Sequence, residues 1–322
     1  MEPGDPTPEL VEAVRPAVKS LARPTPLLPS AWLSELAGRP VLLACESLQV
    51  AGCFKPRGAI AALSRWEPAR RARGVLDASA GNHGLGLAAA ARALAIPCTI
   101  VVPATVPRVK AEGMRALGAR VVEAPGATRF DQAREWMLAH RDELPGEVPG
   151  PADEAAIMAG GGTLALEVLE RAPDVSAFLV PAGWGGLAIG VALACRLAGS
   201  SAGAWGITSD ASPGLHTWWH QGRAPRPDEE RETWAEGIQG GTEPRAARLA
   251  REHLAGVLLA REVTVRRAAR ELLLRERLLV EPSGAAGVAA ILDGVLLPGV
   301  GPLVAVLTGG NLDPERLRAL LA

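Results

Sequence analysis

One lysine stands out because of its neighbours. Lys55 lies within residues 52–59, between small residues and just ahead of an alanine-rich segment with a helical pattern. Such a position can bury the side chain, and a buried ammonium group loses hydration, so its pKa falls. The free amine is then a nucleophile that can form a Schiff base with an aldehyde cofactor. Most lysines are surface residues, so other segments must supply the rest of such a site.

A glycine-rich loop is the second chemical feature. It lies between the apolar run 178–181 and a helical pattern over 188–197. Its residues are Gly183, Trp184, Gly185, Gly186 and Leu187. A strand, a glycine loop and a helix in this order can place backbone N–H groups around a phosphate. The same pattern also fits a tight turn between a strand and a helix.

A polar loop and a hydroxyl complete the set. The loop lies between a predicted strand at 74–78 and a predicted helix at 85–94, and its donors suit a carboxylate or a phenolate oxygen. Its residues are Ser79, Ala80, Gly81, Asn82 and His83. Thr308 follows the apolar run 303–306, where its hydroxyl can donate to a pyridine nitrogen without protonating it.

In this order the segments resemble the fold-type II pyridoxal phosphate enzymes and, within them, the serine/threonine dehydratases (threonine ammonia-lyases). The resemblance covers most of the chain and is weakest at 124–156 and 208–256. It also includes the segments 25–27, 46–49, 103–119, 161–167, 235–238, 281–285 and 308–311.

The resemblance implies a role for each site residue. Lys55 would bind pyridoxal 5'-phosphate and later take the α-proton of an amino-acid substrate. The polar loop, Ser79 to His83, would hold the substrate carboxylate. The cofactor would contact Phe54, Lys55, Asn82, Gly183, Trp184, Gly185, Gly186, Leu187, Gly237, Glu281 and Thr308. For Phe54 a plain core position is the alternative, and for Glu281 the alternative is a charge at a helix N-terminus.

Several positions depart from the family pattern. Leu85 stands where dehydratases commonly carry glutamine, Cys53 where they carry serine, and Trp184 where they carry a glycine. These changes suggest a more apolar pocket and a bulkier β-hydroxy amino acid as an alternative substrate. The segment 206–210 lacks the glutamate of relatives activated by divalent cations, so no metal site is expected there.

Four functions remain open, with β-elimination favoured. A β-replacement synthase has the same fold but matches less well around 235–238 and 281–285. A racemase needs a second base, which in the family is a serine at the position of Ala80. A non-catalytic cofactor-binding protein would not need Lys55 as a Schiff-base partner.

Composition excludes other classes of function. The chain has 322 residues and a net charge of −1, so it has no charge excess that favours nucleic acid. No apolar run reaches the roughly 18 to 20 residues of a membrane span. The four cysteines are widely spaced, which favours a reducing cytoplasm. His216 and His220 have a spacing that could bind zinc in a helix, but they lack a third ligand, so ordinary histidines are preferred.

The elements that must position these residues alternate between strand and helix patterns, which predicts an α/β fold with mostly parallel sheets. Strands are expected at 41–44, 74–78, 98–102, 120–122, 178–180, 204–207, 257–259 and 303–307. Further helices are expected at 108–117, 163–171, 263–277 and 314–321.

The resemblance also implies two domains. A small domain over 68–147 would carry the polar loop, and a large cofactor-binding domain would combine 1–67 with 148–322. The Pro/Gly-rich segment 143–151 is the best internal boundary. Relatives are commonly homodimers or homotetramers, and the same is expected for this chain.

Overall fold

Two sheets of unequal size organise the computed structural model, which describes residues 4–240 and 242–322. Residues 1–3 of the expected large domain lie outside the described part. The strands are β1 (Leu27–Pro29), β2 (Val41–Ala44), β3 (Val75–Ala78), β4 (Cys98–Val102), β5 (Arg120–Glu123), β6 (Ala177–Pro181), β7 (Gly203–Ser209), β8 (Gly256–Ala260) and β9 (Leu303–Val306).

The larger sheet has the strand order β1-β2-β9-β6-β7-β8, and the smaller has the order β3-β4-β5. All neighbouring strands are parallel except β1 and β2. The central strands are buried along their whole length, as expected when helices cover both faces of a parallel sheet. The predicted class, α/β with mostly parallel sheets, is confirmed.

Helices connect the strands and cover the sheets. They are α1 (Pro8–Lys19), α2 (Ala31–Ala37), α3 (Lys55–Leu63), α4 (Pro68–Arg73), α5 (Asn82–Ala93), α6 (Arg108–Ala116), α7 (Phe130–Ala139), α8 (Pro151–Leu169), α9 (Gly186–Leu197), α10 (Gly214–Gln221), α11 (Pro244–His253), α12 (Glu262–Glu271), α13 (Ala286–Leu292) and α14 (Pro314–Leu321). Because the chain enters the small sheet after α3 and α4 and leaves it before α8, that sheet forms within one continuous segment. The exact domain limits at 68 and 147 stay a prediction.

The eight predicted strands all occur, with ends shifted by up to two residues. The strand β1 was not predicted because it has three residues, ends in Pro29 and pairs only at the sheet edge, where a missing N–H is tolerated. The predicted helix 263–277 divides into α12 and a π-helical turn over Leu272–Glu276.

The start of α8 was predicted wrongly, at 163 instead of Pro151. Three successive glycines, Gly160 to Gly162, weaken a helix prediction, but here they allow neighbouring helices to pack closely. A Cβ on Gly160 would lie 2.5 Å from the Arg57 carbonyl oxygen in α3. One on Gly162 would lie 2.2 Å from the Gly190 oxygen in α9. These contacts fix α3 and α9, and both helices begin at a predicted site segment.

Among the described residues, no helix combines the length and the apolar character that crossing a membrane requires.

Candidate active site

Lys55 is the first residue of α3, and backbone pairing places it beside the end of β9. Cys53 forms an antiparallel bridge with Gly309, and the Phe54 N–H donates to the Thr308 carbonyl oxygen at 3.0 Å. Pro56 in the first helical turn fits because its missing N–H would have no intrahelical partner. The site residues Lys55 and Thr308 are therefore brought together, although they lie 253 positions apart in the sequence.

A buried ion cluster anchors α3 directly below the lysine. The fully buried Arg57 donates to Glu46 at 2.8 Å and to Glu167 at 2.8 Å, and also to Thr25 Oγ1 at 2.8 Å. Burial disfavours the guanidinium charge, but the two carboxylates outweigh it and raise the pKa of Arg57. Because removing one partner would leave a buried charge unpaired, the cluster holds α3 in one position.

Desolvation dominates the electrostatics of Lys55. Burial lowers the pKa of its ammonium group, and Cys53 and Glu281 oppose this shift only in part. Lys55 Nζ lies 5.0 Å from the ring centroid of Phe54, so the aromatic ring forms one wall around the amine. A Cβ on Gly86 of α5 would lie 2.6 Å from Lys55 Cβ, so that glycine is needed for α5 to approach. The environment favours the free amine that the sequence predicted.

The glycine-rich loop leaves a row of backbone donors free. The N–H groups of residues 183–188 have no hydrogen-bond partner among the described residues, and the Ile189 N–H is the first to bond within α9. Gly185 has φ +100°, a left-handed conformation that favours glycine. A Cβ on Gly183 would lie 3.2 Å from Ile238 Cα, which places the segment 236–238 against the loop.

The side chains around this loop occupy defined positions. The Trp184 ring lies over Gly186, where a Cβ would meet its Cη2 at 2.6 Å, and the residue is 36% exposed. Leu187 and Phe54 both face Gly161 of α8, with Leu187 Cδ1 3.1 Å and Phe54 Cε2 3.9 Å from its Cβ position. The predicted Phe54 and Leu187 therefore share one wall.

The N–H of Gly237 is engaged within the protein. It donates to Ser283 Oγ at 3.1 Å, which ties this predicted residue to the turn that follows Glu281. Gly237 also needs its small size there, because a Cβ would lie 2.8 Å from that oxygen. It therefore shapes the wall next to the glycine-rich loop.

The polar loop at the start of α5 is organised by Ser79. Its buried hydroxyl accepts from the N–H groups of Gly81 at 3.2 Å and Gly84 at 2.9 Å. The N–H groups of Ala80, Asn82 and His83 remain without a partner among the described residues. The loop thus presents three free donors at a helix N-terminus, which suits a carboxylate.

One neighbour of this loop, Asp77, was not predicted. Asp77 in β3 has its Oδ2 2.9 Å from His83 Nε2, and its Oδ1 accepts a hydrogen bond from the Ala78 N–H at 2.8 Å. This contact fixes the ring of His83. The backbone N–H of the same residue is one of the three free donors of the loop. Asp77 is the one charged residue in an otherwise apolar strand, and this feature of the sequence could have identified it as a candidate site residue.

A polar network connects the polar loop to the large sheet. Asn82 Nδ2 donates to Glu281 Oε1, and Asn311 Nδ2 donates to Asn82 Oδ1 at 2.9 Å. Lys110 Nζ of α6 lies 3.7 Å from Glu281 Oε2. Burial raises the pKa of Glu281, and Lys110 and Asn82 oppose that shift. Glu281 therefore contacts two residues that lie on the small-sheet side of the candidate site. It also precedes the helical turn Pro282–Ala285, so its role beside the cofactor stays a prediction.

Sequence reasoning missed Lys110 and Asn311. Both side chains contact predicted site residues across the two sheets, Lys110 from the small sheet and Asn311 from the large one. The network also engages both polar atoms of the Asn82 side chain, for which the resemblance implies a contact with the cofactor. The sequence signal for Lys110 was the scarcity of lysine, which occurs only at positions 19, 55 and 110.

Two of the three residues that depart from the family pattern, Leu85 and Cys53, are buried. Leu85 is 5% exposed, and its Cδ2 lies 2.7 Å from a Cβ position on Gly113 in α6. Cys53 is fully buried, and burial raises the pKa of its thiol to about 12, so it is neutral at physiological pH. Among the described residues, no group of three or more metal-ligating side chains is assembled, and His220 Nε2 contacts the Val257 oxygen at 3.1 Å.

These features fit a phosphorylated pyridine aldehyde. The free N–H groups at 183–188 can bind its phosphate, and the desolvated Lys55 amine can bind its aldehyde. Thr308 is buried, and its hydroxyl has no partner among the described residues, which leaves it free for a ring nitrogen. A Cβ at Gly309 would meet Glu281 Oε1 at 2.5 Å and Asn82 Nδ2 at 3.0 Å, so glycine keeps this side of the site open.

Comparisons with known proteins agree with the geometry. The L-threonine ammonia-lyase of Geobacter sulfurreducens is 34% identical over 317 residues, which cover 97% of this chain and 77% of that protein. Serine racemase of Homo sapiens is 32% identical over 296 residues, which cover 90% of this chain and 86% of that protein. The structure of threonine deaminase isoform 2 from Solanum lycopersicum has a TM-score of 0.85 at 27% identity and covers 97% of this chain and 91% of its own.

The matches confirm the expected two-sheet fold of fold-type II enzymes and the expected cofactor. A family model described as "Pyridoxal-phosphate dependent enzyme" matches residues 18–309, a range that contains the lysine, both donor loops and Thr308. The chain therefore belongs to the family of pyridoxal-phosphate dependent enzymes.

Proposed function

We propose that the chain is a pyridoxal-phosphate dependent ammonia-lyase that converts a β-hydroxy amino acid, such as L-threonine or L-serine, into a 2-oxo acid and ammonia. The observation that carries the proposal is the placement of a desolvated Lys55 between two loops with free N–H donors, one suited to a phosphate and the other to a carboxylate. The similarity to L-threonine ammonia-lyase over nearly the whole chain supports this reaction.

Binding and orientation come first. The free N–H groups of Ala80, Asn82 and His83 would hold the substrate carboxylate. Lys55 would bind the cofactor aldehyde and be released when the substrate amino group takes its place. Phe54 and Leu187 form an apolar wall beside the lysine, which excludes water from the amine.

Proton transfer follows from the position of Lys55. The bound cofactor supplies an electron sink for the α-carbon. The released Lys55 amine takes the α-proton and becomes an ammonium group. The β-hydroxyl would then take up the proton that Lys55 carries and leave as water, which returns Lys55 to the amine. The enamine product would be hydrolysed after release to the 2-oxo acid and ammonia. Thr308 offers a neutral hydroxyl to the cofactor ring, which favours rapid elimination over a long-lived carbanion.

The packing of Leu85 bears on substrate size. Because Leu85 faces α6 and the core, it does not widen the pocket beside Lys55. The other two departures both lie near the donor loops: Trp184 belongs to the glycine-rich loop, and Cys53 Sγ lies 3.8 Å from the Asn82 carbonyl oxygen. The similarity to L-threonine ammonia-lyases supports a small substrate over the bulkier β-hydroxy amino acid considered from the sequence.

The wider setting of the enzyme is part of the proposal. We infer a small domain over 68–147 and a large domain from 1–67 and 148–322, a homodimer or homotetramer, and a cytoplasmic location. The separate sheets β3-β4-β5 and β1-β2-β9-β6-β7-β8 support the domain division. Four free cysteines support a reducing compartment.

A substrate screen tests the proposed reaction. The purified enzyme is saturated with pyridoxal phosphate and given L-threonine, L-serine and larger β-hydroxy amino acids, and release of ammonia and 2-oxo acid is measured. We expect both products in equal amounts, with L-threonine or L-serine preferred. Cofactor binding without release of oxo acid from any of these substrates would contradict the proposal.

A further inference from the structure

One carboxylate outside the candidate site holds two turns of the chain. Glu262 is the first residue of α12, and it is only partly exposed. Its Oε2 accepts from Thr233 Oγ1 at 2.8 Å and from Ser209 Oγ. Its Oε1 accepts from the Trp234 N–H at 2.5 Å. All three donors are uncharged, and neither the cofactor contacts nor the proton transfer described above involves Glu262.

The two hydroxyl groups extend this contact to the backbone. Thr233 Oγ1 accepts from the Ala235 N–H at 2.9 Å. Ser209 Oγ accepts from the Ala211 N–H at 3.1 Å. A hydroxyl that donates to a carboxylate still has lone pairs for an N–H group, so each side chain closes a turn of its own backbone. Because bonds to an ionised acceptor are stronger than bonds between neutral groups, Glu262 fixes both turns.

Residues 233–240 form a strap that begins at this carboxylate. Two of its hydrogen bonds, both at its start, end on Glu262. Two N–H groups farther along the strap each donate to one serine hydroxyl, at 3.1 Å to Ser283 and at 3.2 Å to Ser212. Loss of the Glu262 carboxylate would therefore release two bonds at the same end of the strap.

The strap packs against the glycine-rich loop through main-chain atoms. A Cβ on Gly183 would lie 3.2, 3.3 and 3.4 Å from the Cα, the carbonyl oxygen and the carbonyl carbon of Ile238. Just beyond the strap, Thr242 Oγ1 donates to the Gly183 carbonyl oxygen at 3.4 Å. Close-packed segments transmit a displacement to each other. Since Gly183 begins the row of free N–H groups at 183–188, a shift of the strap would move these donors.

We propose that Glu262 is a positioning residue for the cofactor phosphate: through Thr233 and the strap it holds the glycine-rich loop in the geometry that binds a phosphate. The inference rests on the cofactor binding that the proposed function requires, and not on the elimination reaction itself. Because Glu262 acts through the loop, its removal should weaken phosphate binding and leave the Lys55 amine able to bind the aldehyde.

The test compares pyridoxal phosphate with pyridoxal, which has the same ring and aldehyde but no phosphate. The full-length protein, freed of cofactor, is titrated with each ligand, and the absorbance of the bound ligand gives two dissociation constants. The phosphate preference is the pyridoxal constant divided by the pyridoxal phosphate constant. In Glu262→Ala we expect this preference to fall about tenfold, because two hydrogen bonds to a charged group are lost, while the pyridoxal constant stays within about twofold of the wild type.

Three further variants refine the test. Glu262→Gln keeps the size of the side chain and an acceptor for the Trp234 N–H, so its phosphate preference should lie between those of the wild type and Glu262→Ala. Thr233→Val keeps the shape of the side chain but removes its bond to the carboxylate, and its preference should fall as well. Glu271→Ala, at the other end of α12, is the matched control and should keep the wild-type preference. Melting temperatures report whether each variant is folded.

The possible failures are distinguishable. An unchanged phosphate preference in Glu262→Ala would overturn the role of Glu262. Equal weakening of both ligands would overturn it too, because that result indicates a general loss of structure. If Glu262→Ala does not fold, Thr233→Val decides by the same criteria. A lowered preference in these variants, together with no release of ammonia from β-hydroxy amino acids by the wild-type enzyme, would contradict the proposed reaction and leave the role of Glu262 intact.

Discussion

The glycine-rich loop and the polar loop both connect a strand to a helix, but they differ in their hydrogen bonds. The glycine-rich loop between β6 and α9 leaves its N–H groups at 183–188 free, and no side chain in the described part of the chain binds them. The polar loop between β3 and α5 is organised from within by Ser79 and is connected to the large sheet through Asn82 and Glu281. Both present donors for an anion, but only the second is linked to residues on the other sheet.

The difference matches two kinds of ligand. A cofactor phosphate that stays bound needs a fixed row of donors, which glycine provides by letting the backbone approach. In the function proposed above, a substrate carboxylate at the polar loop would enter and leave in each turnover. The contacts of Asn82 with Glu281 and Asn311 connect that loop to the opposite sheet. Changes in the first loop should affect cofactor affinity, and changes around the second should affect substrate handling.

The largest effect is expected from Gly185→Ala in the glycine-rich loop. Gly185 has φ +100°, and a left-handed conformation costs a residue with a Cβ roughly 1 to 2 kcal/mol. If binding requires that conformation, cofactor affinity should fall about tenfold. Gly199→Ala is the control, because Gly199 also has positive φ but nothing lies within 4 Å of its Cβ position. Equal cofactor affinity in both variants, measured by absorbance titration, would contradict the assignment.

A smaller effect is expected from Glu281→Gln, which keeps an acceptor for Asn82 but removes the charge. Turnover should fall about fivefold, since the hydrogen bond is weakened and not lost. Stability should also change with pH. Burial raises the pKa of Glu281 above its ordinary value of 4.5. The stability that the protonated carboxyl group contributes to the fold is therefore fully present below pH 4.5 and is lost as pH rises through the raised pKa.

The variant lacks this loss, so its stability relative to the wild type should increase as pH rises above 4.5. Chemical denaturation at several pH values measures the difference. Glu35→Gln, at an exposed position, is the control. A constant difference between Glu281→Gln and the wild type across that range would show that the Glu281 pKa is not raised.

The smallest effect is expected from Asp77→Asn beside the polar loop. Asp77 contacts the His83 ring at 2.9 Å, and both side chains are partly exposed, so the pair contributes only up to about 1 kcal/mol. We expect KM for the amino acid to rise about two- to threefold with little change in kcat. Cofactor affinity should stay as in the wild type, and a loss there would remove the distinction between the two loops.

The sequence predicted the parts of the site that consist of local signals. A lysine among small residues and a glycine-rich loop after an apolar run are each recognisable within a few residues of sequence. The eight predicted strands are likewise apolar runs between turn residues. Lys110 gave no such signal, because a lysine in a short amphipathic helix usually faces solvent. Its burial depends on the packing of α6 against α5, which brings Gly113 onto Leu85.

Long-range pairing accounts for the other omissions. Asn311 reaches Asn82 because Cys53 pairs with Gly309, a contact between distant segments that no local pattern contains. The start of α8 could not be predicted because Gly160 to Gly162 are weak helix formers. In the structure these glycines let α3 and α9 pack closely against α8. Propensity argues against glycine in a helix, and tertiary packing overrides it here.

Covalent trapping at Lys55 tests the central claim most directly. The cofactor-saturated enzyme is reduced with borohydride, digested and mapped by mass spectrometry, with Lys55→Ala and Lys19→Ala treated in parallel. We predict a pyridoxyl phosphate label on Lys55 in the wild type and in Lys19→Ala, and loss of both label and turnover in Lys55→Ala. An unlabelled Lys55 in the saturated wild-type enzyme, or a label on Lys19 or Lys110 in its place, would contradict the account.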